Sequence, residues 1–193
     1  MKRTVKIKIC GLKNPADIDY VNEAKPDYIG FVFAESRRGI TSKTAAEYKK
    51  RLSSKIIAVG VFVNAEISLI TKLHDAGTIS IAQLHGSESE QYIDTLKKAC
   101  DIPVIKALNA GNVYPQNADY LLFDSGKGGT GKAFDWSLIP KCDKKYFLAG
   151  GINSGNIKEA AKLNPYCIDL SSGVEDASGN KDRKKIIELC GFS

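Results

Sequence analysis

Two residues in this chain of 193 stand where side chains do proton chemistry. Cys10 closes a short β-branched stretch in which Lys6 and Lys8 are its period-two partners. Every second side chain of a strand shares a face, so the thiol sits on one side with two ammonium groups. Nearby cations favour a thiolate, and the placement predicts a lowered thiol pKa. A lone cysteine also serves as a small inert hydrophobe, and position alone leaves both readings open. Asp124 ends the apolar run Tyr120-Leu121-Leu122-Phe123. A carboxylate there is costly unless it binds or reacts. Its plainer readings are a cap on the next segment or an ion-pair partner for Lys8.

Groups that could bind anions surround these two in sequence order. Arg37-Arg38 follows the second β-branched run and reads as a carboxylate clamp or as a solvated surface pair. Gly150-Gly151 and Ser171-Ser172-Gly173 follow the last two runs and read as phosphate-binding loops or as ordinary tight turns. The glycine-rich stretch 126–132 nearly matches a nucleotide P-loop, but Ala133 occupies the position of the magnesium-binding hydroxyl. It reads better as a lid. His85 reads as a loop-orienting hydrogen-bonding group rather than a metal ligand. Two histidines far apart, and five cysteines without a CxxC pair, suggest no metal site and no disulfide framework. No metal and no cofactor are expected.

Positioning these groups falls to an alternation of short β runs and longer amphipathic stretches. Strands are predicted over 5–10, 28–33, 55–63, 79–84, 104–107, 120–124, 146–149 and 168–170. Helices are predicted over 15–24 behind Asn14, from near Thr41, behind Asn64 to before Gly77, from the Ser87-Glu88-Ser89-Glu90 capping-box spacing, over 154–163 and over 182–190. The fifth helix, within 109–117, is degenerate, because it is short and holds Gly111 and Pro115. Eight such units favour a compact, single-domain (β/α)8 TIM barrel over residues 1–193, with a doubly wound open sheet as the competitor. In a barrel the chemistry lies at the C-terminal ends of the strands, where Cys10, Asp124 and the anion-binding loops all fall.

Composition narrows the partners. Apolar residues make up 43% of the chain, enough to bury a core, which excludes global disorder. The net charge of +6 suits an anionic small molecule. There is no basic stripe with interleaved aromatics, so no nucleic-acid partner is expected. No apolar run spans a bilayer and no signal-peptide core is visible, so no membrane partner and a cytoplasmic location are expected.

The ordered motifs resemble the phosphoribosylanthranilate isomerase family of tryptophan biosynthesis. They are Lys8-Ile9-Cys10-Gly11, Gly30-Phe31-Val32-Phe33, Ser36-Arg37-Arg38, Val59-Gly60-Val61-Phe62-Val63-Asn64, Gln83-Leu84-His85-Gly86 and Leu122-Phe123-Asp124. Phe134-Asp135-Trp136, Gly150-Gly151-Ile152 and Asp169-Leu170-Ser171-Ser172-Gly173-Val174-Glu175 continue them. The resemblance implies a cofactor-free Amadori rearrangement of a small phosphosugar, N-(5-phosphoribosyl)anthranilate, to 1-(2-carboxyphenylamino)-1-deoxyribulose 5-phosphate. It implies Asp124 as general acid, Cys10 as general base, and Arg38 on the anthranilate carboxylate. Gly150, Gly151, Ser171, Ser172 and Gly173 would hold the phosphate, in a monomer or homodimer. Two positions depart from the family pattern: Gly39 replaces a common aromatic, and Arg37 replaces a frequent proline or lysine. These departures imply either a looser anthranilate end of the pocket or an Arg37 that shares the clamp. The alternatives are another phosphosugar enzyme on the same barrel, such as indole-glycerol-phosphate synthase, and a non-catalytic phosphate- or nucleotide-binding module.

Overall fold

The computed structural model describes residues 5–109, 115–124, 136–140 and 142–192. Its eight strands are β1 (Lys6–Cys10), β2 (Tyr28–Val32), β3 (Ile57–Phe62), β4 (Ile81–Leu84), β5 (Val104–Asn109), β6 (Tyr120–Asp124), β7 (Tyr146–Leu148) and β8 (Cys167–Leu170). Each pairs in parallel with the next, and β8 returns to β1 through Lys8 opposite Asp169. That last pairing closes the barrel and excludes the open sheet.

Helices α1 (Pro15–Ala24), α2 (Ser42–Arg51), α3 (Ile67–Asp75), α4 (Glu90–Ala99), α5 (Ile157–Lys162) and α6 (Arg183–Cys190) lie between strands or after the last. Pro15 opens α1 with its φ already helical, and Asp17 turns back to accept from the Lys13 and Asn14 amides. Thr41 caps α2 through the Thr44 amide, and Asp182 caps α6 through that of Lys185. Apolar stripes such as Ile93 and Leu96 of α4, or Ile186 and Leu189 of α6, pack against the outer faces of the strands. Each such side chain contributes about 1.5–3 kcal/mol of burial.

Two predicted caps are corrected. α4 starts behind Ser89, whose hydroxyl accepts from the Tyr92 amide, two residues later than the Ser87 spacing indicates. Glu88 is drawn inward instead, to an ion pair with Lys106 at 2.7 Å. Asn64 does not cap α3, which begins behind Glu66. Asn64 adopts φ +49°, and its side-chain oxygen accepts from the Ser87 amide and hydroxyl, joining two loops. Most of the predicted degenerate fifth helix and the whole glycine-rich stretch 126–132 lie outside the described residues.

The barrel interior follows from strand periodicity. Lys8, Tyr28, Val59, Ile81, Ile105, Leu122, Phe147 and Cys167 are buried, all but Lys8 in one apolar cluster. At the end where the strands begin, Phe147 meets Tyr28 and Tyr120 edge-on at 5.5 and 5.8 Å. Tyr166 stacks on Tyr120 at 5.5 Å. Lys6 donates from Nζ to the Tyr166 hydroxyl at 2.8 Å, so even the charged residue there is tied to the aromatic layer.

Candidate active site

The opposite end holds a cavity of about 220 Å³. Cys10, Asp124, Arg38, Gly150, Gly151, Ser171 and Ser172 all line it, and Gln83, His85 and Asp169 join them. Gly173, next to Ser172, is not itself among the lining residues. A methyl group on its Cα would sit 1.9 Å from the Ile152 carbonyl oxygen, so glycine lets the β7 and β8 loops touch.

Cys10 shares its face with Lys8, as the period-two pattern requires. The Lys8 ammonium, however, is already paired: Nζ donates to Asp169 Oδ2 at 2.7 Å and to Gln83 Oε1 at 2.8 Å. Burial pushes the Cys10 thiol up, Asp169 adds to this, and Lys8 and Lys181 only partly oppose it. The expected lowered pKa is therefore corrected to a raised one. The same geometry removes one plain reading of Asp124, because the partner of Lys8 is Asp169. Asp124 faces His85, with Oδ2 3.6 Å from Nε2.

Arg38 reaches the cavity along Gly11. With φ +81° and no Cβ, Gly11 leaves room for the arginine stem; a methyl group would meet Arg38 Cδ at 2.5 Å. The guanidinium is fixed by Glu175, Nε donating to Oε1 at 2.6 Å and Nη2 to Oε2 at 3.0 Å. Arg37 Nη2 also donates to Oε2, at 2.8 Å, while its side chain stays half exposed. Lys181, buried, donates to Oε1 at 3.0 Å. Burial pushes the Glu175 carboxyl up, but the Arg38 hydrogen bonds and the Lys181 charge outweigh it and hold the group below the usual range. Gly39 has its own explanation, since a Cβ there would lie 2.7 Å from the Ala34 carbonyl oxygen.

On the β7–β8 side, Gly150 and Gly151 take φ +89° and +69°, a backbone that only glycine adopts without strain. The Gly151 carbonyl accepts from the side-chain amides of Asn153 and Asn156. Ser171 Oγ donates to the Cys10 carbonyl at 3.3 Å, and Lys181 Nζ to the Ser171 carbonyl at 3.0 Å. The loop is thus tied to the strand that carries Cys10. Among the described residues, no three His, Cys, Asp or Glu side chains group to hold a metal ion.

An acidic group on β6 and a thiol on β1 therefore face one cavity, with cations and glycine-rich backbone around them. Such a site can move protons between neighbouring atoms of an anionic substrate. Sequence reasoning places Gln83, Asp169, Glu175 and Lys181 only within motifs and gives them no role, and it gives His85 no neighbour. Gln83 and Asp169 keep period-two step with Ile81 and Cys167 of the interior cluster, which places both inward.

A family model described as N-(5'phosphoribosyl)anthranilate (PRA) isomerase matches residues 7–191. The chain belongs to that isomerase family. An N-(5'-phosphoribosyl)anthranilate isomerase of Endomicrobium trichonymphae is 50% identical over 191 residues, covering 95% of each chain. The crystal structure of phosphoribosyl anthranilate isomerase from Thermus thermophilus superposes with a TM-score of 0.86 at 31% identity, over 96% of each chain. Another isomerase of this name, solved in complex with reduced 1-(o-carboxyphenylamino)-1-deoxyribulose 5-phosphate, superposes at 0.77 with 28% identity, over 96% of each chain. The chain is accordingly an enzyme, a PRA isomerase of tryptophan biosynthesis built as a TIM barrel. No described helix is long and apolar enough to cross a membrane.

Proposed function

We propose that Cys10 and Asp124 perform the Amadori rearrangement of N-(5'-phosphoribosyl)anthranilate as general base and general acid. Asp124, protonated, gives its proton to the ribose ring oxygen; the C1–O bond breaks and an iminium forms. The iminium acidifies the neighbouring C2–H, and the Cys10 thiolate removes that proton to leave an enolamine. Tautomerisation then adds a proton at C1 and removes one from the C2 hydroxyl, giving the aminoketose. The observation that carries this reading is the placement of both groups on one cavity, from β1 and β6.

Burial keeps the Cys10 thiol protonated until a charge balance favours the thiolate, and Lys8 and Lys181 are the cations that favour it. Arg38, pre-oriented by Glu175, receives the anthranilate carboxylate. The backbone at Gly150, Gly151, Ser171, Ser172 and Gly173 receives the phosphate. Residues 1–193 act as one catalytic domain. The enzyme works in the cytoplasm on this small phosphosugar, without nucleic acid, as a monomer or homodimer; the net charge of +6 is consistent with an anionic substrate.

The test uses substrate formed in situ from anthranilate and an activated ribose phosphate, with its fluorescence followed on adding enzyme. Fluorescence should fall with enzyme, and Cys10→Ser and Asp124→Asn should each abolish the fall. Undiminished loss in either variant sinks that residue's role.

A further inference from the structure

A line of polar side chains runs beneath the cavity from β8 through β1 and β4 to β6. Asp169 pairs with Lys8, Lys8 donates to Gln83, Gln83 meets His85, and His85 faces Asp124. Each link constrains the next. An ammonium group only donates, so the side-chain atom of Gln83 that lies 2.8 Å from Lys8 Nζ is its carbonyl oxygen. The amide NH2 is then turned toward His85, where Gln83 Nε2 lies 3.0 Å from Nδ1. An amide nitrogen also only donates, so His85 Nδ1 accepts with its lone pair. In the neutral ring the proton consequently resides on Nε2, the nitrogen 3.6 Å from Asp124 Oδ2.

We infer that Lys8 and Gln83 set the tautomer of His85 so that its Nε2–H is presented to Asp124. His85 is a positioning residue here and transfers no proton. This rests on the reading of Asp124 as the acid. Once Asp124 has given up its proton, the carboxylate left behind meets an N–H dipole that stabilises it; the other tautomer would present a lone pair and repel it. At 3.6 Å the pair is longer than a formed hydrogen bond, and catalytic hydrogen bonds of this kind tighten when substrate is bound. Asp169 belongs to the device because it holds the Lys8 ammonium in place, with the Lys8 side chain wholly buried.

The chain has two histidines, which makes the tautomer directly readable. Long-range 1H–15N spectra of histidine-labelled protein, followed to alkaline pH until the ring signals stop changing, should show His85 Nε2 as the protonated nitrogen. A His74→Gln variant assigns the signals. A proton on Nδ1 overturns the inference. In Gln83→Glu the carboxylate cannot donate, so the tautomer should reverse, and kcat should fall about tenfold or more with KM within about threefold. A reversed tautomer with unchanged kcat overturns the positioning role. Should Gln83→Glu fail to fold, the comparison moves to His85 itself. Glutamine can place an amide N–H near the Nε2 position and asparagine cannot, so His85→Gln should keep at least about fivefold more kcat than His85→Asn. Equal loss in the two counts against the inference. If Asp124→Asn retains full activity while the tautomer is as stated, the acid assignment fails and the Lys8–Gln83–His85 link stands, so the two failures are separable.

Discussion

Gly30 lies opposite Cys10 in the β1–β2 register, and a methyl group on its Cα would stand 2.7 Å from the Cys10 sulfur. The glycine is what gives the thiol its place. Gly30→Ala should push the sulfur off its line to the substrate, lowering kcat at least about tenfold with a smaller effect on KM. The accompanying overpacking should cost about 1–3 kcal/mol in urea unfolding. Normal kcat in a folded Gly30→Ala variant would show that the sulfur position is not critical.

The raised thiol has a kinetic signature. Only the thiolate takes a proton, and burial lifts the Cys10 pKa above its ordinary value near 8.5. The kcat/KM of the free enzyme should therefore still be rising with pH through about pH 8.5, rather than levelling below it. A plateau already reached near about pH 7 would mean that Cys10 is ionised in the free enzyme.

Asp124→Asn and Cys10→Ala should fail at different steps. With substrate deuterated at C2, residual turnover of a Cys10 variant should show a primary isotope effect, because C–H cleavage is its slow step. The Asp124→Asn variant should show little, since its slow step is the earlier ring opening. Equally large effects in both would undo the division of labour and leave the isomerase function intact.

Glu175 ties together Arg37, Arg38 and Lys181. Glu175→Ala would leave Lys181 buried without its carboxylate, a loss of about 3–5 kcal/mol in stability. Glu175→Gln should raise KM more than it lowers kcat, because Arg38 loses its orientation. The sign of its pH effect is set by the lowered carboxyl. Glu175 contributes stability above the unfolded-state pKa of about 4.3 and loses it as pH falls through the lower folded value. Below about pH 4.3 the gap in urea midpoint between parent and Glu175→Gln should accordingly narrow. A constant gap would mean that Glu175 does not titrate in that window.

The barrel and much of its site are legible from the chain because both depend on period. Strand alternation places Cys10 and Asp124 at strand ends, and the closed sheet puts those ends on one rim. What could not be read are pairings between residues distant in sequence. Lys8 and Asp169 are 161 residues apart, and Arg38 and Glu175 are 137 apart. The rise of the Cys10 thiol follows first from its burial, with Asp169 adding to it, whereas local sequence shows only the lysine beside it. The cap of α4 lies two residues beyond the Ser87 spacing because Glu88, in the loop after β4, is drawn to Lys106 on β5.

The aromatic layer of Tyr28, Tyr120, Phe147 and Tyr166, with Lys6 bonded into it, has a consequence for molecular traffic. It makes the barrel a blind well with its mouth at the rim of Cys10 and Asp124. Aminoaldose and aminoketose must then use the same doorway in turn. The two are isomers that share their phosphate and carboxylate, so on the proposed assignment the departing product meets the same anchors as the arriving substrate. On the proposed site assignment, release from Arg38 and the glycine-rich loops then becomes a step that faster chemistry at the thiol alone would not shorten.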